Sequence, residues 1–143
     1  MKATGPLDAH PVFDPGILRG FHLLESDAGT GKTWTIAGLV VRALVELELE
    51  IDRILVVTFT NAATAELAAR IRERIGAMAA LLEADLAGDD TRDGELFCRE
   101  YLPRIADREA ALRRLRIAHA RVDEAAVRTI HGFCQRVIAE HGL

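Results

Sequence analysis

Apolar residues recur at helical spacing in two long stretches of the chain. Between Gly31 and Glu48 they mark one face of a predicted helix, made of Ile36, Leu39, Val40, Ala43, Leu44 and Leu47. A second predicted helix begins at Thr60 or Asn61, either of which can cap it, and runs to about Leu86. Its inward stripe consists of Leu67, Ile71, Ile75, Met78 and Leu82.

Three short apolar runs predict strands. The first is Phe21–Glu25, in which Leu23 and Leu24 are expected to point inward. The second, Ile54–Val57, is a continuous aliphatic run of the kind found in parallel strands that are buried on both faces. The third is Ala125–Ile130.

Shorter helices complete the pattern and are predicted at Glu95–Leu102, Asp107–Val122 and Gly132–Glu140. In the middle one, the arginines from Arg113 to Arg121 are predicted to form mainly a solvated face. The alternation of strands and helices indicates an α/β fold with a parallel sheet core and flanking helices.

The composition excludes several classes of protein. Half of the 143 residues are apolar and 28% are charged, so the chain can bury a core. A net charge of −4 excludes a generally basic nucleic-acid-binding surface but not a local basic groove. No apolar run is long enough to span a membrane, and no signal peptide opens the chain. Cys98 and Cys134 lack the spacing of a zinc site or a disulfide framework, which favours the cytoplasm.

A glycine-rich segment lies between the first predicted strand and the first predicted helix. Its sequence, Ser26-Asp-Ala-Gly-Thr-Gly-Lys-Thr33, is close to the phosphate-binding pattern G-x-x-x-x-G-K-[ST]. Small residues let successive backbone N–H groups surround a phosphate, and the helix N-terminus adds a partial positive charge. The residues predicted to bind ATP are Ser26, Asp27, Ala28, Gly29, Thr30, Gly31, Lys32 and Thr33.

Lys32 and Thr33 are the predicted catalytic pair. The Lys32 ammonium is expected to reach the β- and γ-phosphates, and the Thr33 hydroxyl to ligate Mg²⁺. The alternative is a glycine-rich turn with an ordinary surface lysine, although the chain has only two lysines, Lys2 and Lys32. Asp27 departs from the usual pattern, and we expect its carboxylate to point away from the phosphates.

Three blocks, in this order, resemble the first conserved motifs of the superfamily 1A (UvrD-like) DNA helicases: Ser26–Thr33, Ile54–Leu67 and Thr129–Arg136. The resemblance covers about residues 13–141 and is strongest to the helicase–exonuclease subunits of bacterial double-strand-break repair. AddA-type helicase–nucleases share the Thr58-Phe-Thr-Asn61 sequence and remain an alternative. The resemblance implies a P-loop NTPase (RecA-like) motor lobe that uses ATP and Mg²⁺.

In this family the second and third blocks contact single-stranded DNA. The resemblance therefore implies DNA-binding roles for Thr58, Phe59, Thr60, Asn61, Thr129 and His131. Phe59 would stack on a base, and the polar side chains would bond the sugar–phosphate backbone. Taken without the motifs, Phe59 would be a core aromatic, Asn61 a helix cap and His131 a buried or capping histidine.

A complete motor of this class also needs an Asp-Glu motif and arginines from a second lobe. No such pair follows Arg136, and Asp123-Glu124 precedes the third block. We therefore expect residues 1–143 to be the N-terminal part of a helicase ATP-binding domain (1A), with a helical insertion at about 88–122.

The parent protein is expected to be an ATP-dependent DNA helicase and exodeoxyribonuclease. Its expected partners are single-stranded DNA, a duplex end and two further subunits of the complex, with no membrane. The chain alone is expected to bind nucleotide weakly at best and to be inactive. The other classes considered are a different P-loop enzyme, such as a small kinase, and a non-catalytic P-loop interaction module.

Overall fold

The computed structural model describes residues 10–25 and 31–142. Its regular elements are α1 (Lys32–Glu46), β1 (Leu55–Thr58), α2 (Asn61–Ala87), α3 (Leu96–Tyr101), α4 (Arg108–Ala120), β2 (Ala126–Thr129) and α5 (Ile130–His141). Short 3₁₀ turns lie at Pro11–Phe13, Ile51–Arg53, Leu102–Arg104 and Val122–Glu124. None of the helices in the described ranges is long and apolar enough to cross a membrane.

The core lies between α1, α2, α3 and α4. The predicted stripe of α2 is confirmed, since all five of its residues are buried: Leu67, Ile71, Ile75, Met78 and Leu82. The predicted face of α1 is only partly right, because Ala37 and Val41 are fully buried whereas Ile36 and Leu39 are half-buried. The reason is that α1 is covered on more than one side.

Gly38 shows how closely the neighbours approach α1. A Cβ atom at this position would lie 2.7 Å from the Phe97 ring and 2.8 Å from a Val12 methyl group. Only glycine therefore fits where α3 and the lead-in segment meet the helix.

The lead-in segment, residues 10–20, is attached to α1 through a buried arginine. Arg42 is 3% exposed, and its Nη1 donates to the carbonyl oxygens of Val12 (2.5 Å) and Asp14 (2.8 Å). Its Nε and Nη2 donate to the Glu46 carboxylate at 2.6 and 2.9 Å, and the Tyr101 hydroxyl donates to the same carboxylate at 2.9 Å.

The parallel sheet predicted from the sequence is confirmed as a two-stranded sheet in the described part of the chain. β1 and β2 run parallel, with Leu55 opposite Ala126 and Thr58 opposite Thr129. One face, with Val56 and Val127, packs against the core.

The prediction that β1 is buried on both faces is wrong. Leu55 and Val57 are each 46% exposed. Their face of the sheet meets α5, with Phe133 and Val137 around an open space of about 300 Å³, whereas the core helices cover only the opposite face.

The prediction of a strand at Phe21–Glu25 is also wrong. These residues have no regular secondary structure, and Leu23 and Leu24 are exposed. A strand requires a backbone partner, and the sheet within the described residues pairs only β1 with β2. The helices predicted at Glu95–Leu102, Asp107–Val122 and Gly132–Glu140 are confirmed as α3, α4 and α5 with shifted ends.

Candidate nucleotide and nucleic-acid sites

The start of α1 carries the described part of the predicted phosphate loop. Gly31 caps the helix in the left-handed region, at φ 93°, a conformation that favours glycine. Lys32, the first helical residue, is exposed and Thr33 is half-buried. Ser26, Asp27, Ala28, Gly29 and Thr30 lie outside the described residues.

The N-cap residue of α1 provides no capping side chain, unlike those of the other four α-helices in the described ranges. Thr60, Glu95, Asp107 and Thr129 each accept a hydrogen bond from a first-turn amide of α2, α3, α4 and α5 respectively. Gly31 has no side chain to do so. No N-cap side chain therefore competes with an anion for the first-turn N–H groups of α1, and the helix dipole favours negative charge there.

A cleft of about 540 Å³ borders the start of α1. On the α1 side it is lined by Gly31, Lys32, Thr33 and Trp34, and on the α2 side by Glu66, Arg70 and Arg74. The charged residues of α2 are spaced i, i+4 and i+8, which places them along one edge of the helix. That spacing was visible in the sequence, but only the packing of α2 beside α1 turns it towards the cleft.

The cleft has more positive than negative side chains. Lys32, Arg70 and Arg74 supply three cations against the single carboxylate of Glu66. Arg70 also pairs with Glu73 at 3.2 Å. Burial lowers the pKa of Arg74, yet a guanidinium remains protonated at neutral pH. Arg74 also pairs with Glu95 at 3.0 Å, so carboxylates outside the lining balance part of this charge and a polyphosphate site would depend mainly on Lys32. The Thr33 hydroxyl supplies the oxygen donor that Mg²⁺ prefers.

Two predicted DNA-binding blocks meet at the carboxyl edge of the sheet. Thr58 ends β1 and pairs in register with Thr129, which ends β2. Thr60 caps α2 by accepting from the Ala63 amide at 3.1 Å, and Thr129 caps α5 by accepting from the Gly132 amide at 3.0 Å. Two helix N-termini therefore begin side by side at this edge, where ligands bind open α/β sheets.

The alternatives that the sequence left open for single residues are resolved. Phe59 is 90% exposed and is not a core aromatic. The side chain that caps α2 is that of Thr60, while Asn61 is exposed. His131 is exposed in the first turn of α5, so it is not a buried histidine. DNA contact by these residues stays a prediction.

The arginines of α4, and Arg121 just after it, lie on the surface as predicted, where they pair with acidic residues. Arg114 pairs with Glu48 at 2.7 Å, and Arg116 with Glu83 at 2.5 Å. Arg121 binds Glu50 at 3.0 Å and Glu124 at 2.7 Å. Their charges are balanced within the chain, which leaves little net attraction for a nucleic acid.

The acidic pair before β2 has partners of the same kind. Asp123 pairs with Arg72 and Glu124 pairs with Arg121. Both acids precede β2 and so lie at the amino end of that strand, opposite the edge that carries Thr129. Among residues 10–25 and 31–142, no group of three or more His, Cys, Asp or Glu side chains is arranged to hold a metal ion.

These features define an α/β protein in which parallel strands lead directly into capped helices and a glycine-capped helix presents a lysine and a threonine to a basic cleft. Comparison with known families then identifies the group. The sequence profile of the UvrD/REP helicase N-terminal domain matches residues 15–143, so the chain belongs to this family. The family resemblance inferred from the three blocks is confirmed.

Relatives of the chain include three proteins named "RecBCD enzyme subunit RecB". The protein of Escherichia coli strain K12 is 46% identical over 131 residues, or 85% of this chain. That of Haemophilus influenzae is 39% identical over 152 residues (99% of this chain), and that of Mycobacterium tuberculosis H37Rv is 42% identical over 123 residues (85%). The chain spans only 10–12% of the length of these relatives.

Proposed function

We propose that the chain is the ATP-binding part of a DNA helicase subunit that acts in double-strand-break repair and recombination. The observation that carries this proposal is the glycine-capped start of α1, where Lys32 and Thr33 border a cleft that Arg70 and Arg74 also line. Residues 1–143 would form the first part of a P-loop NTPase (RecA-like) motor domain, with the helical insertion at about 88–122.

The predicted phosphate loop would bind the nucleotide. Lys32 would neutralise charge on the β- and γ-phosphates, and Thr33 would ligate the Mg²⁺ ion that accompanies ATP. Bound Mg²⁺–ATP would supply the free energy for movement along DNA. Arg70, on the opposite wall of the cleft, adds positive charge that was not foreseen from the sequence.

Single-stranded DNA would bind at the carboxyl edge of the sheet. The exposed Phe59 ring offers a stacking surface next to hydroxyl and amide groups from Thr58, Thr60 and Asn61. Thr129 and His131 extend this surface onto the start of α5.

The parent protein would be an ATP-dependent helicase and exodeoxyribonuclease. Its relatives are named as subunits of the RecBCD enzyme. On that basis the partners would be RecC, RecD and a DNA end, and the compartment would be the cytoplasm. The 143-residue chain alone would bind nucleotide weakly and would not hydrolyse it efficiently.

Calorimetric titration with Mg²⁺–ADP and Mg²⁺–ATP tests the proposal. We expect Lys32→Ala to raise the dissociation constant by about 10- to 100-fold, because it removes a charge-assisted bond worth about 1.5–3 kcal/mol. Arg113→Ala is the matched control, since it also removes one exposed cation but on α4. Its dissociation constant should stay within about twofold of the wild-type value. Equal affinity in Lys32→Ala, or no binding by the wild-type chain, would contradict the proposal.

A further inference from the structure

Arg74 occupies an unusual position between the predicted nucleotide site and the helical segment that follows α2. Its side chain is only 9% exposed, although it belongs to the cleft that Lys32 and Thr33 border. We propose that Arg74 is a positioning residue, which holds the first turn of α1 in place so that Lys32 and Thr33 can engage phosphate and Mg²⁺. This inference rests on the proposed nucleotide-binding function.

Hydrogen bonds join Arg74 to the backbone of the phosphate-binding turn. Its Nη1 donates to the carbonyl oxygen of Trp34 at 2.7 Å. Trp34 directly follows Thr33, so this bond ties α2 to the turn that carries both predicted catalytic residues. A charge-assisted bond to a carbonyl oxygen fixes position more strongly than a neutral one.

The aromatic rings of Trp34 and Phe97 both lie close to the Arg74 guanidinium. The Arg74 Cζ atom lies 5.1 Å from the centre of the Trp34 ring and 5.0 Å from that of Phe97. Both distances are within the range of cation–π attraction. The two rings meet edge to face at 5.9 Å, so the guanidinium and the rings form one cluster.

Glu95 extends the cluster to α3. Its Oε1 accepts from Arg74 Nη2 at 3.0 Å and from Trp34 Nε1 at 3.3 Å. The same carboxylate caps α3 by accepting from the Cys98 amide. The start of α3 is therefore bonded to the start of α1 through Arg74, and a change at either end would be felt at the other.

The geometry favours positioning over direct contact with phosphate. Arg74 already uses Nη1 for a backbone carbonyl and Nη2 for a carboxylate. Its planar fork serves both acceptors while its Cζ atom stays within cation–π distance of both rings, and a lysine ammonium has no such fork. Arg74→Lys would keep the charge and lose the fork, so this variant separates the two roles.

Titration with Mg²⁺–ADP, together with emission from Trp34, the only tryptophan, tests the inference on the 143-residue chain. We expect Arg74→Met and Arg74→Lys each to raise the dissociation constant by about tenfold, because a displaced first turn no longer presents Lys32 and Thr33 correctly. Both variants should also shift the Trp34 emission of the free protein to longer wavelength. Arg72→Met is the matched control, since Arg72 lies on the same helix in an exposed ion pair with Asp123. It should leave affinity and emission unchanged.

Each outcome separates the possibilities. Urea unfolding identifies variants that fail to fold, and if Arg74→Met is one of them, Arg74→Lys carries the test. A folded Arg74 variant with reduced stability and wild-type affinity would overturn the inference and leave Arg74 a purely structural residue. If Arg74→Lys binds Mg²⁺–ADP with wild-type affinity and Arg74→Met binds it weakly, the positioning role is overturned. The positive charge at position 74 would then attract the phosphates directly. No binding by the wild-type chain would instead overturn the proposed function, and with it this inference.

Discussion

The exposure of the Phe59 side chain distinguishes a core residue from a candidate ligand-binding residue. An aromatic residue directly after an aliphatic run is ordinarily expected in the core, yet this ring is 90% exposed. Burying a phenylalanine stabilises a protein by about 1.5–3 kcal/mol, and that gain is forgone here. An exposed aromatic at the carboxyl edge of a sheet, beside two helix N-termini, is suited to stacking on a nucleic-acid base.

Replacing Phe59 by alanine should therefore affect DNA binding and not folding. We expect Phe59→Ala to weaken binding of a short single-stranded oligonucleotide by about 1–3 kcal/mol, the usual worth of one stacked base. The free energy of unfolding should change by less than about 0.5 kcal/mol, because the ring buries little surface. Fluorescence anisotropy and urea unfolding measure the two quantities.

Ile117→Ala is the matched control for that experiment, since Ile117 is an exposed apolar residue on α4. It should change neither DNA affinity nor stability. Unchanged DNA affinity in Phe59→Ala would argue against the carboxyl edge of the sheet as the DNA site.

At the scale of elements, α2 was the easiest to predict and the Phe21–Glu25 segment the hardest. The stripe of α2 repeats over 27 residues, and a long periodic pattern leaves few alternatives. A five-residue run gives no such repetition, and a strand exists only if another backbone pairs with it. The shift of the buried face of α1 has a similar origin, because Phe97 and Val12 reach the helix from distant parts of the sequence.

The cap of α2 provides a test at this scale. Thr60→Ala should lower the free energy of unfolding by about 0.5–2 kcal/mol, because the Ala63 amide loses its acceptor. Thr60→Ser retains the hydroxyl and should keep most of the stability. Urea unfolding, monitored by circular dichroism, measures the free energy of unfolding of the wild type, Thr60→Ala and Thr60→Ser. Equal losses in the alanine and serine variants would show that the methyl group matters, not the cap.

Across the whole molecule, a polar network of the buried Arg42 and Tyr101 with the partly exposed Glu46 joins elements that are far apart in the sequence. Glu46 accepts from Arg42 and from Tyr101, and Arg42 also holds the lead-in segment. Burial favours the neutral acid and would raise the Glu46 pKa, but the bonds from Arg42 and Tyr101 outweigh it. The pKa of Glu46 therefore lies below its ordinary value of 4.5.

This depressed pKa predicts how stability depends on pH. Glu46 binds fewer protons in the folded than in the unfolded protein, so its contribution is present above the unfolded pKa of 4.5 and is lost as pH falls through the lower folded pKa. We expect Glu46→Gln to be less stable than wild type at about pH 7 and to lose less stability than wild type by about pH 3. Urea unfolding across this range measures both.

Glu140→Gln serves as the control, because Glu140 forms an exposed ion pair with Arg136 at the end of the chain. Its stability should follow the wild-type pH profile closely. A Glu46→Gln profile parallel to that of wild type would show that the network contributes no pH-dependent stability.

The sequence was sufficient to predict the α/β class, the parallel pairing of strands, most helices and the family. Those features depend on local periodicity and on motif spacing, and both can be determined from the order of residues alone. It did not reveal that β1 is half exposed, that Arg70 and Arg74 line the cleft beside Lys32, or that the arginines of α4 are neutralised. Each of these depends on which residues distant in sequence become neighbours, and that is established only when the helices pack around a common core.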